Sequence, residues 1–223
     1  MVARPRLGLR NRARRARRKL LDPRNPLLVR GRLPHPYWRF RFHSFGPHSL
    51  LDRPIWLAGA HKMSIGNQCA ILPCMLSVEE QAWDRPGPVL VIGDGVAMRP
   101  YSTISAAESV ILEDDVAIAS HSQVFDWWPT LAGPHDQPEL NPLRTKPVRI
   151  GRGTGLGERV VVLPGSNIGK HCMIGTNSVV DGEIPDHSIA TGIPARVVGR
   201  TPERRVAGRT PRRTIRRRQR AVR

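Results

Sequence analysis

Aliphatic residues recur at every sixth position over the second half of the chain: Ile150, Leu156, Val162, Ile168, Ile174 and Val180. Glycine follows four of them, at Gly151, Gly157, Gly169 and Gly175. A small or β-branched residue stands four positions after five of them: Thr154, Val160, Ser166, Cys172 and Ser178. A helix repeats every 3.6 residues and an amphipathic strand every two, so neither alone gives this period. One inward aliphatic per hexad fits a short strand, a corner and another short strand. Three hexads then close one triangular coil. Glycine near a corner is expected to relieve the steric cost of turned backbone.

The pattern also runs earlier in the chain, with breaks. Ile65-Gly66 and Ile71 form one pair; Ile92-Gly93, Met98 and Ile104 a second run; Leu112, Ile118 and Val124 a third. The step from Ile104 to Leu112 is two residues too long, which implies a small corner insertion. Residues 77–90 and 126–147 interrupt the repeat as loops. The second is proline-rich, and long excursions from a regular scaffold often carry function. Stacked coils cover one another's apolar faces and bury a continuous narrow core. The pattern therefore predicts an all-β parallel β-helix over residues 55–199, with about seven to eight coils' worth of chain. Periodicity does not give the hand of the coil.

Charge divides the chain into three. Residues 1–54 carry 15 Lys and Arg against 2 Asp and Glu, residues 55–199 carry 10 against 15, and residues 200–223 carry 11 against 1. The net charge of +18 thus belongs to two basic extensions flanking an acidic body. A short helix is plausible over Asn11–Leu21, rich in good helix formers. The Arg-rich segment 200–223 has too few apolar residues to build a core and is expected to be disordered. Both extensions could lie on an anionic membrane surface or hold polyanions without sequence preference; specific nucleic-acid recognition is not expected. Cys69, Cys74 and Cys172 offer neither metal spacing nor a disulfide framework, so a reducing cytoplasm is the expected location and no metal is predicted. No apolar run approaches the ~18 residues of a membrane span, and the basic N-terminus lacks the apolar stretch of a secretory signal.

From Phe45-Gly46 to Gly199 the chain resembles the hexapeptide-repeat O-acetyltransferases. It is most similar to those of capsular, colanic-acid and other exopolysaccharide biosynthesis. The resemblance rests on Met63-Ser64-Ile65-Gly66-Asn67, Val91-Ile92-Gly93-Asp94-Gly95-Val96, the run from Pro147 to Val180, and the closing Gly192-Ile193-Pro194-Ala195-Arg196-Val197-Val198. It implies a left-handed β-helix, a homotrimer with active sites in the clefts between subunits, acetyl-CoA as donor, and a carbohydrate or lipid-linked saccharide hydroxyl as acceptor.

Acetyl transfer to a hydroxyl needs a base for the hydroxyl proton. The resemblance implies a histidine at the start of the long loop. Here that stretch reads Asp126-Trp127-Trp128-Pro129: Asp126 matches, and Pro129 stands where the base is expected. Three readings stay open: His135 reaches back from the same loop, His121 serves, or no base remains and the protein is a non-catalytic scaffold. His121 is otherwise an outward-pointing hexad residue. Trp127 and Trp128 could stack on a sugar or on adenine, or pack the loop or a subunit interface. Family positions for CoA fall on Glu158, Thr176, Asp181 and Arg196. Arg196 suits a phosphate; the two acids weaken the site for an anionic cofactor. The remaining histidines, including His171 and His187, read as solvated or structural.

Overall fold

The computed structural model describes residues 40–131 and 141–202. The expected helix over Asn11–Leu21, most of the 200–223 tail and His135 lie outside the described residues. Within them the chain winds as a parallel β-helix with three flat faces. The first face has seven strands, from Ser44–Phe45 to Glu183–Ile184. The second begins at Leu50–Leu51 and ends in Ser188–Gly192, to which Ala195–Arg200 adds an antiparallel edge. The third has six strands, from Trp56–Ala58 to Val179–Val180. Each strand pairs with the one a coil earlier and the one a coil later, so side chains of one hexad position form columns.

The first-face column runs Ile92, Leu112, Ile150, Ile168, Ile184, each in register with the next. All the hexad aliphatics named from the sequence are buried, and so are Thr154, Val160, Ser166, Cys172 and Ser178. Two inward positions per hexad, one large and one small, fill the narrow triangle. Each fully buried aliphatic contributes about 1.5–3 kcal/mol by leaving water. The polar members are not orphaned: Thr154 Oγ1 donates to the Gly169 carbonyl and accepts from Cys172 N–H.

The helix starts earlier than the predicted residue 55. Ser44 and Phe45 pair with Ser64 and Ile65, and Leu51 pairs with Ile71. The reason is visible in the hexad spacing itself, because Phe45 and Leu51 stand six apart and supply the inward side chains of a first coil. The first interruption is narrower than predicted, and the second fills the gap between the strands Gln123–Phe125 and Val148–Ile150. The first leaves after the strand Met75–Val78 and returns at Leu90–Ile92; it opens with a 3₁₀ turn at Glu80–Ala82, and Trp83 Nε1 donates to the Val78 carbonyl. The second leaves through Trp127–Trp128, which pairs antiparallel with Arg144–Thr145.

The corners explain two recurrent residue choices. Three positions after the inward aliphatic, the backbone turns left-handed (αL). On the corner between the second and third faces this column holds Tyr101, His121, Arg159 and Asn177, at φ 64, 62, 53 and 61°. On the corner between the first and second it includes His48, Gln68, Asp115, His171 and His187. Asn, Asp, His and Gly tolerate that conformation best. The glycines directly after the aliphatics answer a different need. A Cβ on Gly151 would lie 2.6 Å from the Gly169 carbonyl carbon, and one on Gly66 would lie 2.6 Å from that of Gly93. These glycines let successive coils touch, rather than supplying the turn expected of them.

Candidate active site

The corner joining the third face to the first is where the three breaks in the repeat gather. The excursion after Val78, the insertion at 107–109 and the hairpin after Phe125 leave from three successive coils of this corner. Ser77, Ser105 and the strand Gln123–Phe125 are in register beneath it.

Asp126 anchors the corner. It is buried, and its carboxylate accepts backbone N–H groups of Ala107 at 2.7 Å, Glu108 at 2.8 Å and Ser109 at 2.6 Å. Burial pushes its carboxyl above the ordinary range, and the three backbone donors pull it back. Both its oxygens serve the insertion that lengthens the Ile104–Leu112 step. In this chain Asp126 positions a loop: its carboxylate holds the insertion 107–109 by three backbone donors.

The two tryptophans project from the base of the hairpin, each half-buried. Trp127 Nε1 donates to Ser105 Oγ at 2.8 Å. Ser105 Oγ donates to Glu79 Oε1 at 2.7 Å, and Ser77 Oγ to the same oxygen at 3.3 Å. Trp128 lies under the Lys146 ammonium, 6.0 Å from the ring centroid, a cation–π contact. The two excursions also touch: Leu143 N–H donates to Gln81 Oε1. Buried Asn141 ties the hairpin across itself through the Thr130 carbonyl. Sequence reasoning missed Glu79, Ser105 and Ser77. The only signal was a serine directly after the inward aliphatic in Leu76-Ser77 and Ile104-Ser105, just ahead of the first loop and of the lengthened step.

His121 is not beside this corner. It occupies the αL column at the far end of the strand Gln123–Phe125, exposed, with its ring stacked on Tyr101 at 5.2 Å. Glu158, Thr176 and Arg196 share that second corner. Asn177 N–H bonds the Glu158 carbonyl, and Arg196 pairs with Thr191 one coil beyond. All three are exposed. Asp181 lies apart from them, on the corner of the hairpin. The predicted donor residues are therefore divided between two edges of the third face. Among the described residues no group of three His, Cys, Asp or Glu side chains could hold a metal ion, and no helix is long and apolar enough to cross a membrane.

This three-faced coil recurs in known proteins. No family model matches the chain. WbbJ of Escherichia coli K12, named for O-acetyl transfer in lipopolysaccharide biosynthesis, is 34% identical over 117 residues, 49% of this chain and 60% of WbbJ. Rv3034c of Mycobacterium tuberculosis H37Rv, named as an acetyltransferase, is 30% identical over 178 residues, 73% of this chain and 55% of Rv3034c. The chain thus spans little more than half the length of these relatives. Among solved structures, a variant of the N-acyltransferase AntD from Bacillus cereus, in complex with dTDP and coenzyme A, superposes with a TM-score of 0.65 at 21% identity. That match covers 77% of this chain and 90% of AntD. The hexapeptide-repeat acetyltransferase VCA0836 of Vibrio cholerae, complexed with acetyl-CoA, gives 0.50 at 17% identity, over 88% and 92% of the two chains. The fold is the left-handed β-helix of hexapeptide-repeat proteins. In sequence the chain is similar to proteins named as acetyltransferases, and in fold to hexapeptide-repeat acyltransferases.

Proposed function

We propose that the protein is a CoA-dependent O-acyltransferase that moves an acetyl group from acetyl-CoA to a hydroxyl of a saccharide or lipid-linked sugar. The observation that carries this reading is the convergence of both excursions on one corner, with Trp127 and Trp128 at their junction. Regular coils need no such structure, and the sequence match to WbbJ and Rv3034c is to proteins named for acetyl transfer. The tryptophans offer broad, rigid faces of the kind that stack on sugar rings at low entropic cost. Arg196 offers the CoA phosphates a charged fork, with Glu158 and Thr176 on the same edge and Asp181 on the neighbouring one. A homotrimer would bring one subunit's second corner toward the next subunit's third corner, uniting donor and acceptor groups that a single chain keeps apart. The basic extensions would hold the enzyme against an anionic inner membrane face where lipid-linked sugars are built.

Acetyl-CoA binding to the full chain, measured by calorimetry at moderate salt, tests the reading. Inorganic pyrophosphate serves as control for attraction between Arg clusters and phosphate. Saturable micromolar binding that pyrophosphate does not displace is the expected result. Its absence would leave the second reading, a β-helix scaffold without a reaction. That reading is favoured by one observation: no imidazole stands in the stretch Asp126–Pro129.

A further inference from the structure

A hydroxyl acceptor needs a base, and Asp126 is buried with both oxygens engaged by the insertion 107–109. The Glu79–Ser105–Trp127 chain ends in a group that can. Its direction is fixed by chemistry. Indole Nε1 only donates, so the single Ser105 proton must point to Glu79, and Glu79 Oε1 must accept. One oxygen of the carboxyl group is thereby oriented by the two serine hydroxyls. Its other oxygen, Oε2, has no hydrogen-bond partner among the described residues, and no Lys or Arg among them forms an ion pair with Glu79. Glu79 is half-buried at the start of the first excursion, one coil before the insertion that Asp126 anchors and two before Trp127.

We propose that Glu79 is the general base of the acyl transfer, in place of the histidine whose position Pro129 occupies, and that Ser105 and Trp127 position it. This rests on the acyltransferase reading above. The acceptor hydroxyl gives its proton to Glu79 Oε2 as its oxygen bonds to the thioester carbonyl carbon. The tetrahedral intermediate collapses with cleavage of the C–S bond. The CoA thiolate then takes the proton from Glu79, so ester and free CoA leave and the carboxylate is restored.

Glu79→Gln separates a base from a structural staple. The amide oxygen still accepts from Ser105 and Ser77, while an NH₂ replaces Oε2. Turnover is read on the full chain as free thiol released from acetyl-CoA with a panel of saccharides, water being the background acceptor; acetyl-CoA binding is measured in parallel. The expected result is a kcat about 10²–10⁴-fold lower, with acetyl-CoA affinity, acceptor KM and melting temperature within experimental error of wild type. His135→Ala, made alongside, should keep most of the rate. Wild-type kcat in Glu79→Gln would overturn the assignment. So would loss of the rate in His135→Ala alone, or thiol release by the wild type that never exceeds the solvent rate while acetyl-CoA still binds. Failure of the wild type to bind acetyl-CoA would instead sink the acyltransferase reading itself.

Discussion

Asp126 carries the clearest consequence at the scale of single residues. Its three backbone partners sit on both oxygens, so an amide cannot replace the carboxylate without turning an N–H donor against N–H donors. Asp126→Asn should cost about 1–3 kcal/mol, read as a lower denaturant midpoint with unchanged slope. A stability equal to wild type would mean that the insertion 107–109 is held by something else. His121 argues the opposite case. Its left-handed φ of 62° is a conformation that costs an ordinary L-residue roughly 1–2 kcal/mol and glycine nothing. His121→Gly should therefore leave both stability and acetyl transfer intact; a catalytic collapse in that variant would restore His121 as the base. The repeat made the position of His121 legible, three residues after Ile118. It did not make legible that Tyr101, His121, Arg159 and Asn177 share one corner column, since they are chemically unlike and share only a backbone conformation.

At the scale of elements, the hexads were readable because each inward aliphatic meets another one coil away, and burial selects for the same residue type every time. The corners were readable only in part. Glycine marks the first corner at Gly46, Gly66, Gly93, Gly151 and Gly169, but the cause is contact between coils rather than a positive φ. The distinction is measurable. A Cβ on Gly151 meets rigid backbone at 2.6 and 2.7 Å, and no side chain can swing aside to admit it. Gly151→Ala should lose about 1–3 kcal/mol through overpacking, with raised amide hydrogen exchange confined at first to the neighbouring strands Val148–Ile150 and Asn167–Ile168. Exchange that rises uniformly over all coils would contradict so local a cause. The excursions were legible as interruptions and as candidate function, because periodicity simply stops. Their internal chemistry was not: Glu79 and Ser105 lie on different coils, and only the register of Ser77 with Ser105 brings them within a hydrogen bond.

For the molecule as a whole, the narrow core has a titratable weakness at high pH. Cys69, Cys74 and Cys172 are free and buried, and burial raises all three thiols, Cys74 to about 12 from 9.0. Below pH 9 both folded and unfolded chains keep these protons, and the thiols add no pH dependence. Above it the unfolded chain ionises while the folded core stays protonated, so the folded state binds more protons and stability falls as pH rises. Cys74 alone should contribute a slope of about 1.4 kcal/mol per pH unit between its unfolded and folded values. Denaturant melts of wild type and Cys74→Ala from pH 8 to 11 would test this. The variant should start less stable, because a buried sulfur is lost, and should decline more gently, so that the two curves converge with rising pH. Parallel curves would mean that alkaline loss comes from elsewhere in the chain. The same burial makes the thiols unreactive toward alkylating reagents while the coil is wound. Because the three cysteines lie on coils near both ends, their order of labelling in rising denaturant reports whether the β-helix opens from one end or unwinds as a unit.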